Sequence, residues 1–378
     1  WTKSNFLAVS REGRTVTQPI EARGTEVGIE MIISIQYLRG IAALLVVFHH
    51  FTVLYRRHGS HGDIALPQIG SAGVDIFFVI SGFIMIYIMT KRDLTPWSFW
   101  KDRCIRIIPV YWFYSAVMIS IAIMLPSVLK TSVFDYEHSI KSLLFIPAYH
   151  PKVDTSIWPI LIQGWSLNYE MFFYLVFGLT LLFSPKTRLP LLTLVFALLV
   201  ITGLFHSSSN PLYITYTNLL MLEFIAGSLL GQLYSSGRMP SAKVGYGMLL
   251  VGFIGLLLSP TFPDWASNRA IRWGIPSSLI VFGALSIETH KKIPQIKPLR
   301  LLGDSSYSLY LVHTFILGVM GALWSKIGLS SPLIDVVFFL ASTICCSVAG
   351  YLSFLIIEKP ATRYLKRKLL PLTKRSPA

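Results

Sequence analysis

Residues 37–51 read YLRGIAALLVVFHHF, and the interpretation of the whole chain depends on this stretch. Without Arg39 and the adjacent His49 and His50, it is apolar enough for the centre of a bilayer. An arginine placed there costs roughly 2.5–3.5 kcal/mol on insertion scales. Such a residue either reaches the membrane surface with its long side chain or faces a polar cavity inside the bundle. This stretch alone leaves both interpretations open.

The composition is that of a membrane protein. The 378 residues are 53% hydrophobic and 13% charged, with a mean hydropathy of +0.60, whereas soluble domains carry about 25% charged residues. Apolar runs of about 20 residues recur along the chain, as in spanning helices. The sequence therefore predicts an all-α fold, a polytopic membrane helix bundle with about ten transmembrane helices. The predicted spans are 32–54, 70–90, 107–126, 164–184, 187–205, 213–234, 244–260, 272–288, 305–326 and 334–357.

The two ends of the chain differ from the part between them. Residues 1–30 are polar, lack the apolar core of a signal peptide and precede Met31, which opens the first apolar run. We expect this extension to be disordered or foreign to the natural protein. Residues 31–363 are predicted to form a single transmembrane domain, and residues 364–378 a basic cytoplasmic tail that contacts membrane lipid.

Positive charge is concentrated at one end of the predicted bundle. An even number of spans places both termini on the same side, and most Lys and Arg residues lie in the loops and tail of that side. The positive-inside rule then predicts that both termini are cytoplasmic. The net charge of +15 is explained by these membrane-flanking segments, so no nucleic-acid partner is expected.

Arg39 and His50 are predicted to project from one face of the first span. A helix turns 100° per residue and rises 1.5 Å, so eleven steps bring the two side chains into line about 16 Å apart. His49 points about 80° away by the same geometry. Four further ionisable residues fall within predicted spans, and together they favour an internal polar cavity. They are Asp75, Glu170, Glu223 and His313; we expect structural roles for Asp75 and Glu223, and packing rather than chemistry for His313.

A second basic cluster lies in WSFWKDRCIRIIPVYW, residues 97–112. Arg103 and Arg106 are three residues apart and share a helix face, with tryptophans on both sides. Arginine forks suit phosphate groups and aromatic rings suit a flat base. The alternative is an ordinary membrane anchor of cationic and aromatic residues. The residues alone do not separate these two interpretations.

In this order along the chain, the motifs resemble the acyltransferase-3 family of integral membrane acyltransferases, most closely its exopolysaccharide-modifying branch. The match runs from Met31 to about Arg363. It rests on LRGIAALLVVFHH, GVDIFFVISGFIM, RCIRIIPVYW, WSLNYEMFFYL, YSLYLVH and EKPATR. Many members carry an acidic residue shortly before the first arginine, where this chain reads Ile35, Gln36, so any role of that acid is absent here or supplied elsewhere.

The resemblance implies an enzyme of the bacterial inner membrane. It would move an acyl group, expected to be acetyl, from cytoplasmic acyl-CoA to a hydroxyl of an extracytoplasmic polysaccharide or its lipid-linked precursor. The implied general base is His50, with His49 as the alternative, and Glu170 would orient its imidazole or a sugar hydroxyl. Arg39 would lie along the pantetheine path or hold a carboxylate. Transfer through an acyl-histidine and direct transfer both remain open.

With acyl-CoA as the implied donor, Arg103 and Arg106 are the candidates for binding its phosphates, and no metal is expected. Two other interpretations remain. Intramembrane charges and glycine-rich spans also suit a secondary transporter or flippase, although the two halves of the sequence have no evident repeat. A metal site is a further alternative; its ligands would be His49, His50, His58, His61 and Asp63.

Overall fold

The computed structural model describes residues 31–58, 68–129, 131–259, 269–327 and 331–370, which form an all-α bundle. These residues contain no β-strand, only an isolated bridge between His150 and Val153. Their helices are α1 (Ile33–His58), α2 (Ala72–Lys91), α3 (Pro96–Met124), α4 (Tyr136–Leu143), α5 (Trp165–Thr180), α6 (Pro185–Phe205), α7 (Pro211–Tyr216), α8 (Met221–Ser235), α9 (Ala242–Leu258), α10 (Ile275–His290), α11 (Lys297–Asp304), α12 (Ser306–Ile327), α13 (Pro332–Ser353) and α14 (Lys359–Leu369). The predicted fold class is confirmed.

Eight helical segments of the described chain are long and apolar enough to cross a membrane. A helix lies at each of the ten predicted spans, but those at 164–184 and 244–260 are shorter, with 16 residues in α5 and 17 in α9. The last span is longer than predicted because a π-helical turn, Phe354–Glu358, joins α13 to α14. The predictions for residues 1–30 and for most of the tail, from residue 371 onward, lie outside the described residues.

α3 begins eleven residues before the predicted span. Thr95 caps its first turn: the Thr95 hydroxyl accepts from Ser98 N at 3.2 Å, and the Ser98 hydroxyl accepts from Thr95 N at 3.1 Å. Pro96 follows at the first helical position, where its missing N–H costs nothing. Because of this early start, Arg103 and Arg106 lie inside the helix and not in a loop before it.

The first turn of α1 is held by a carboxylate from another helix. Glu288 of α10 accepts from the backbone N–H groups of Ile33 and Ser34 at 2.7 and 2.9 Å, and from the Ser34 hydroxyl at 2.5 Å. A carboxylate at a helix N-terminus satisfies free N–H groups and interacts favourably with the helix dipole. At the other end of α1, the Tyr55 hydroxyl donates to Asp335 Oδ2 at 2.8 Å. Both ends of the helix that carries Arg39 and His50 are therefore fixed.

Small residues allow α2 to lie at the centre of the bundle. A Cβ at Gly82 would overlap the backbone oxygen of Phe224 in α8, and one at Gly227 would overlap that of Val79 in α2. Close approach at small residues is a common way for membrane helices to pack without a hydrophobic driving force. The contact between these two helices sets one wall of the site described below.

The bundle has two distinct ends. α1 and α2 are antiparallel, since Gly73 packs against Ala42 and Gly70 against His49. We call the end that holds the start of α1 and Lys91 the basic end, and the opposite one the far end. Residues 131–163 lie at the far end and include α4.

Two buried histidines pack together in this far-end segment. The rings of His138 and His150 lie 5.5 Å apart, and His150 is 6.4 Å from the ring of Trp158. Burial lowers the pKa of His138, and the nearby His150 lowers it further. Burial also lowers the pKa of His150, with a smaller contribution from Lys152. Both imidazoles are therefore uncharged in the folded segment at neutral pH.

We expect the far-end segment to lose stability as the pH falls below the ordinary histidine pKa of about 6.5. Below that value the unfolded segment binds protons that the folded one excludes, so the free energy of unfolding decreases with falling pH. Thermal unfolding followed by tryptophan fluorescence should give a lower Tm at pH 5 than at pH 7. The variant His138→Phe/His150→Phe should lose most of that difference, and an unchanged pH dependence in this variant would contradict the assignment.

Candidate functional site

A cavity of about 80 Å³ lies inside the bundle, between α1, α2, α3, α5 and α12. Its lining contains four of the five predicted site residues: Arg39, Arg103, Arg106 and Glu170. The fifth, His50, is not part of the lining. The remaining wall is mixed, with hydroxyl groups from α2, α5 and α12 among aliphatic and aromatic side chains. The predicted internal polar cavity therefore exists, and it brings residues from five helices together.

Glu170 is held by two hydroxyl groups in the cavity wall. Its Oε1 accepts from Ser81 Oγ at 2.6 Å and from the Tyr174 hydroxyl at 2.5 Å. Tyr174 lies one turn further along α5, so helix geometry alone places it against Glu170. No described contact joins Glu170 to the imidazole of His50, which has a different partner. Its other predicted role, at a sugar hydroxyl, stays a prediction.

Arg39 lies at the basic end of the cavity and does not extend to the membrane surface. Its Nη2 donates to Ser306 Oγ at 3.0 Å, and its Nη1 to Gln36 Oε1 at 3.3 Å. Gln36 in turn donates to Asp304 Oδ1 at 2.5 Å. These contacts tie α1 to the α11–α12 turn and fix the guanidinium in the wall of the cavity.

Arg103 and Arg106 have different surroundings, although both line the cavity. Arg103 is 7% exposed and pairs with the neighbouring Asp102, which also accepts from Lys366 Nζ of α14 at 3.2 Å. Arg106 is half-buried and makes no hydrogen bond or ion pair with the described residues. Of the two guanidinium groups, Arg106 is the one whose donors remain available to a ligand.

His50 and His313 form a hydrogen-bonded pair in the middle of the bundle. His50 Nδ1 lies 3.2 Å from His313 Nε2 and 3.0 Å from the backbone oxygen of Val46. His313 is fully buried, and its Nδ1 lies 2.7 Å from the backbone oxygen of Tyr310. A carbonyl oxygen only accepts, so both Nδ1 atoms carry hydrogen. The single hydrogen on His50 Nδ1 is then shared between Val46 O and the unprotonated Nε2 of His313.

This network determines which nitrogen of His50 is available for chemistry. With its hydrogen on Nδ1, the neutral His50 ring keeps a lone pair on Nε2. His313 accepts from His50 Nδ1–H as a carboxylate does in many catalytic triads, and together with Val46 O it orients the His50 ring. The expectation of packing rather than chemistry for His313 stays a prediction, to which the structure adds this polar contact with His50.

His49 points to a different environment, as the helical geometry predicts. Its Nδ1 lies 3.1 Å from Ser71 Oγ at the start of α2, and its ring is 5.2 Å from that of His50. Neither contact fixes a tautomer, because a hydroxyl both donates and accepts. His50 is therefore the better-defined base of the two.

Tyr310 separates the histidine pair from the cavity. Its side chain lines the cavity, and its hydroxyl donates to Gln163 O and lies within 2.8 Å of Ser166 Oγ. Its backbone oxygen accepts from His313. One residue thus joins the two parts of the site, and His50 itself does not line the cavity.

The helical spacing of polar residues in the ninth predicted span indicates a role for His313 that is not evident when each residue is considered alone. Ser306, Tyr310 and His313 follow the spacing i, i+4, i+7, which is one face of a helix. Ser306 binds Arg39, and His313 binds His50. The polar face of the ninth predicted span thus contacts the polar face of the first.

The metal alternative finds no support in the part of the chain that the structure describes. There, no three His, Cys, Asp or Glu side chains form a group that could hold a metal ion. His61 and Asp63, two of the ligands considered, lie outside the described residues, as does the side chain of His58.

A multi-pass helical bundle that encloses arginines, a carboxylate and a paired histidine defines a membrane protein with an internal chemical site. The comparisons with known proteins identify its class: a family model described as an acyltransferase domain matches residues 32–352. The chain belongs to this acyltransferase-3 family, and the resemblance read from its motifs is confirmed.

Several curated proteins are similar to the chain over most of its length. The exopolysaccharide production protein ExoZ of Rhizobium meliloti is 38% identical over 303 residues, 78% of this chain and 90% of the relative. The acyltransferase MdmB of Streptomyces mycarofaciens is 25% identical and covers 91% of this chain. The peptidoglycan O-acetyltransferase OatA of Listeria monocytogenes is 27% identical over 77% of this chain and 50% of its own length. No solved structure matches the chain.

We expect His313→Ala to lower kcat by about tenfold or more, because His50 loses the side chain that orients its ring and that shares its Nδ1–H with Val46 O. The KM for the acyl donor should not change, since His313 does not line the cavity. His313→Gln, whose side-chain oxygen can accept from His50 Nδ1, should recover part of the activity. Transfer assays with purified protein test this. Equal activity of the Ala and Gln variants would show that His313 only fills space.

Proposed function

We propose that the protein transfers an acyl group, expected to be acetyl, from acyl-CoA on the cytoplasmic side to a hydroxyl of an extracytoplasmic polysaccharide or its lipid-linked precursor. Membership of the acyltransferase family supports the reaction class. The similarity to an exopolysaccharide production protein and to a peptidoglycan O-acetyltransferase supports a glycan acceptor. The single observation that carries the proposal is the hydrogen-bonded His50–His313 pair, which leaves Nε2 of His50 as a base.

The proposed chemistry needs only this imidazole to move a proton. His50 Nε2 takes the proton of the acceptor hydroxyl while the hydroxyl oxygen attacks the thioester carbonyl. The C–O bond forms, the C–S bond breaks, and His50 returns the proton to the departing thiolate. In the alternative route Nε2 itself attacks the thioester, the C–S bond breaks and the thiolate leaves. The acceptor hydroxyl oxygen then attacks the acyl carbon, the C–N bond breaks, and the hydroxyl proton passes through the freed Nε2 to the thiolate. Both routes require an unprotonated Nε2.

The donor is proposed to enter from the basic end of the bundle. The positive-inside distribution of Lys and Arg supports a cytoplasmic location of that end and of both termini, and the bacterial inner membrane is the corresponding location. Arg106, which has no partner among the described residues, would bind a CoA phosphate. Arg103 is already paired with Asp102, so its role is to shape this entrance. Arg39, at the same end, would contact the pantetheine arm.

We expect His50→Ala to abolish acyl transfer while leaving donor binding intact. Loss of a general base typically costs 10²–10⁴ in rate. The test uses purified protein in nanodiscs, radiolabelled acetyl-CoA and polysaccharide isolated from cells that lack this protein. His49→Ala is the matched control, with the same ring removed one position earlier, and it should retain transfer. Full transfer by His50→Ala would rule out the mechanism, and substrate movement by the wild type without thioester consumption would favour a transporter.

The two arginines of α3 should respond differently to substitution. Arg106→Ala removes an available guanidinium from the cavity, so the KM for acetyl-CoA should rise by about tenfold, in line with a charged hydrogen bond. The acceptor KM should stay constant. Arg103→Ala leaves Asp102 without its neighbour and should lower Tm more than it raises the donor KM. An unchanged donor KM in both variants would contradict phosphate binding at this entrance.

A further inference from the structure

A second charged cluster lies at the far end of the bundle, outside the cavity. Arg269 Nε and Nη2 donate to the two carboxylate oxygens of Asp75 at 3.2 and 2.6 Å, and Nη2 also donates to the backbone oxygen of Ser71 at 2.6 Å. Asp75 is fully buried, whereas 26% of the Arg269 side chain is exposed. Nη1 has no hydrogen-bond partner among the described residues. The guanidinium is thus fixed along one edge, and its Nη1 keeps donors that no described residue uses.

Two tryptophans flank this guanidinium. Its central carbon lies 5.3 Å from the ring centre of Trp165 and 4.9 Å from that of Trp273. Both tryptophans are half-buried, so part of each ring stays accessible. Aromatic faces beside a hydrogen-bonding fork suit a ligand ring with apolar faces and a polar edge. A sugar ring has both features.

The cluster adjoins both parts of the candidate site. Ser71, whose backbone oxygen binds Arg269, also places its hydroxyl 3.1 Å from His49, the neighbour of His50. On the other side, the Trp165 ring lies 6.4 Å from the ring of Phe78, which lines the cavity. A ligand held by Arg269 would therefore lie near the histidines, at the end of the bundle opposite the donor entrance.

A second buried carboxyl group belongs to the cluster. Glu223 is 3% exposed, packs against Gly274 and interacts with Asp75, both electrostatically and through a side-chain hydrogen bond. This contact satisfies a buried polar group that would otherwise be costly. One guanidinium opposed by two carboxyl groups does not favour an anion. The cluster therefore suits an uncharged ligand that carries hydroxyl groups.

We propose that Arg269, fixed by Asp75 and flanked by Trp165 and Trp273, is the acceptor-binding site, and that it takes an uncharged sugar ring. Nη1 donates to an oxygen of that ring, and the ring covers an accessible tryptophan face. A hydroxyl on the same sugar is thereby directed toward His50. This assignment rests on the proposed function, because it places the acceptor of that reaction.

The test measures acceptor and donor KM separately, with radiolabelled acetyl-CoA and polysaccharide from cells that lack this protein. Arg269→Lys keeps the charge and removes the fork, so the acceptor KM should rise by about tenfold or more while the donor KM stays constant. Lys326→Ala is the matched control, an exposed cation near the far end of α12, and both its KM values should equal those of the wild type.

A second variant distinguishes the loss of acceptor binding from a folding defect. Asp75→Asn/Arg269→Gln replaces the ion pair by two amides that can hydrogen-bond to each other, so neither member of the pair is left as an unpaired buried charge. It should keep the Tm near that of the wild type and still raise the acceptor KM. In a donor-free titration with the same polysaccharide, wild-type tryptophan fluorescence should change in a saturable way, and Trp273→Phe should reduce the amplitude.

The possible results test the acceptor site and the acyltransferase function separately. An unchanged acceptor KM in both Arg269 variants, or an equal rise in donor and acceptor KM, would overturn the acceptor site and leave the acyltransferase function intact. If the wild-type protein does not consume acetyl-CoA with the polysaccharide, the proposed function fails and the acceptor site fails with it.

Discussion

The hydrogen bond between His50 and His313 is the contact on which the account of this protein depends. It joins the first long helix to the ninth predicted span and leaves the free lone pair on Nε2 of His50. The carbonyl oxygens of Val46 and Tyr310 fix the direction of this hydrogen bond. Each can only accept, so each requires a hydrogen on the Nδ1 atom that it contacts. Without these two carbonyls, either nitrogen of either ring could carry the hydrogen. The backbone of two helices thus sets the chemistry of one side chain.

The remaining polar groups obey the constraint that a bilayer places on buried charge. Asp75 is paired with Arg269, Arg103 with Asp102, and the arginine of the first span with a serine and a glutamine. Each pairing joins separate helices or fixes a side chain in the cavity wall. The charged residues therefore stabilise the bundle and also line its site. Near the candidate site, Arg106 and Nη1 of Arg269 have no hydrogen-bond partner among the described residues, and they lie at opposite ends of the bundle. Their positions match a reaction whose two substrates approach from opposite sides.

Much of this arrangement could be predicted from the sequence. The apolar runs gave the fold class and the positions of ten helices, because hydrophobic length is a strong local signal. The spacing between Arg39 and His50 predicted one shared face, and the cavity does contain Arg39, Arg103, Arg106 and Glu170. Those residues are recognisable because a charge inside an apolar run is conspicuous.

Contacts between residues on different helices could not be predicted from the sequence in the same way. Nothing local in the first span indicates that His313, more than 260 residues away, accepts from His50. The pairing of Asp102 with Lys366 depends on how α14 docks, and the predicted span 334–357 ends before that helix begins. Arg269 lies just before a predicted span and looked like an ordinary outer-loop cation. Its importance appears only when Asp75 and the two tryptophans are brought around it in three dimensions.

The tautomer of His50 is the most direct test of the central claim. Nitrogen-15 NMR of histidine-labelled protein in lipid bilayers, compared with the His50→Gln variant to assign the signals, reports which ring nitrogen carries hydrogen. The account requires a neutral ring with hydrogen on Nδ1 and an unprotonated Nε2. A signal from protonated Nε2, or from an imidazolium at neutral pH, would contradict it.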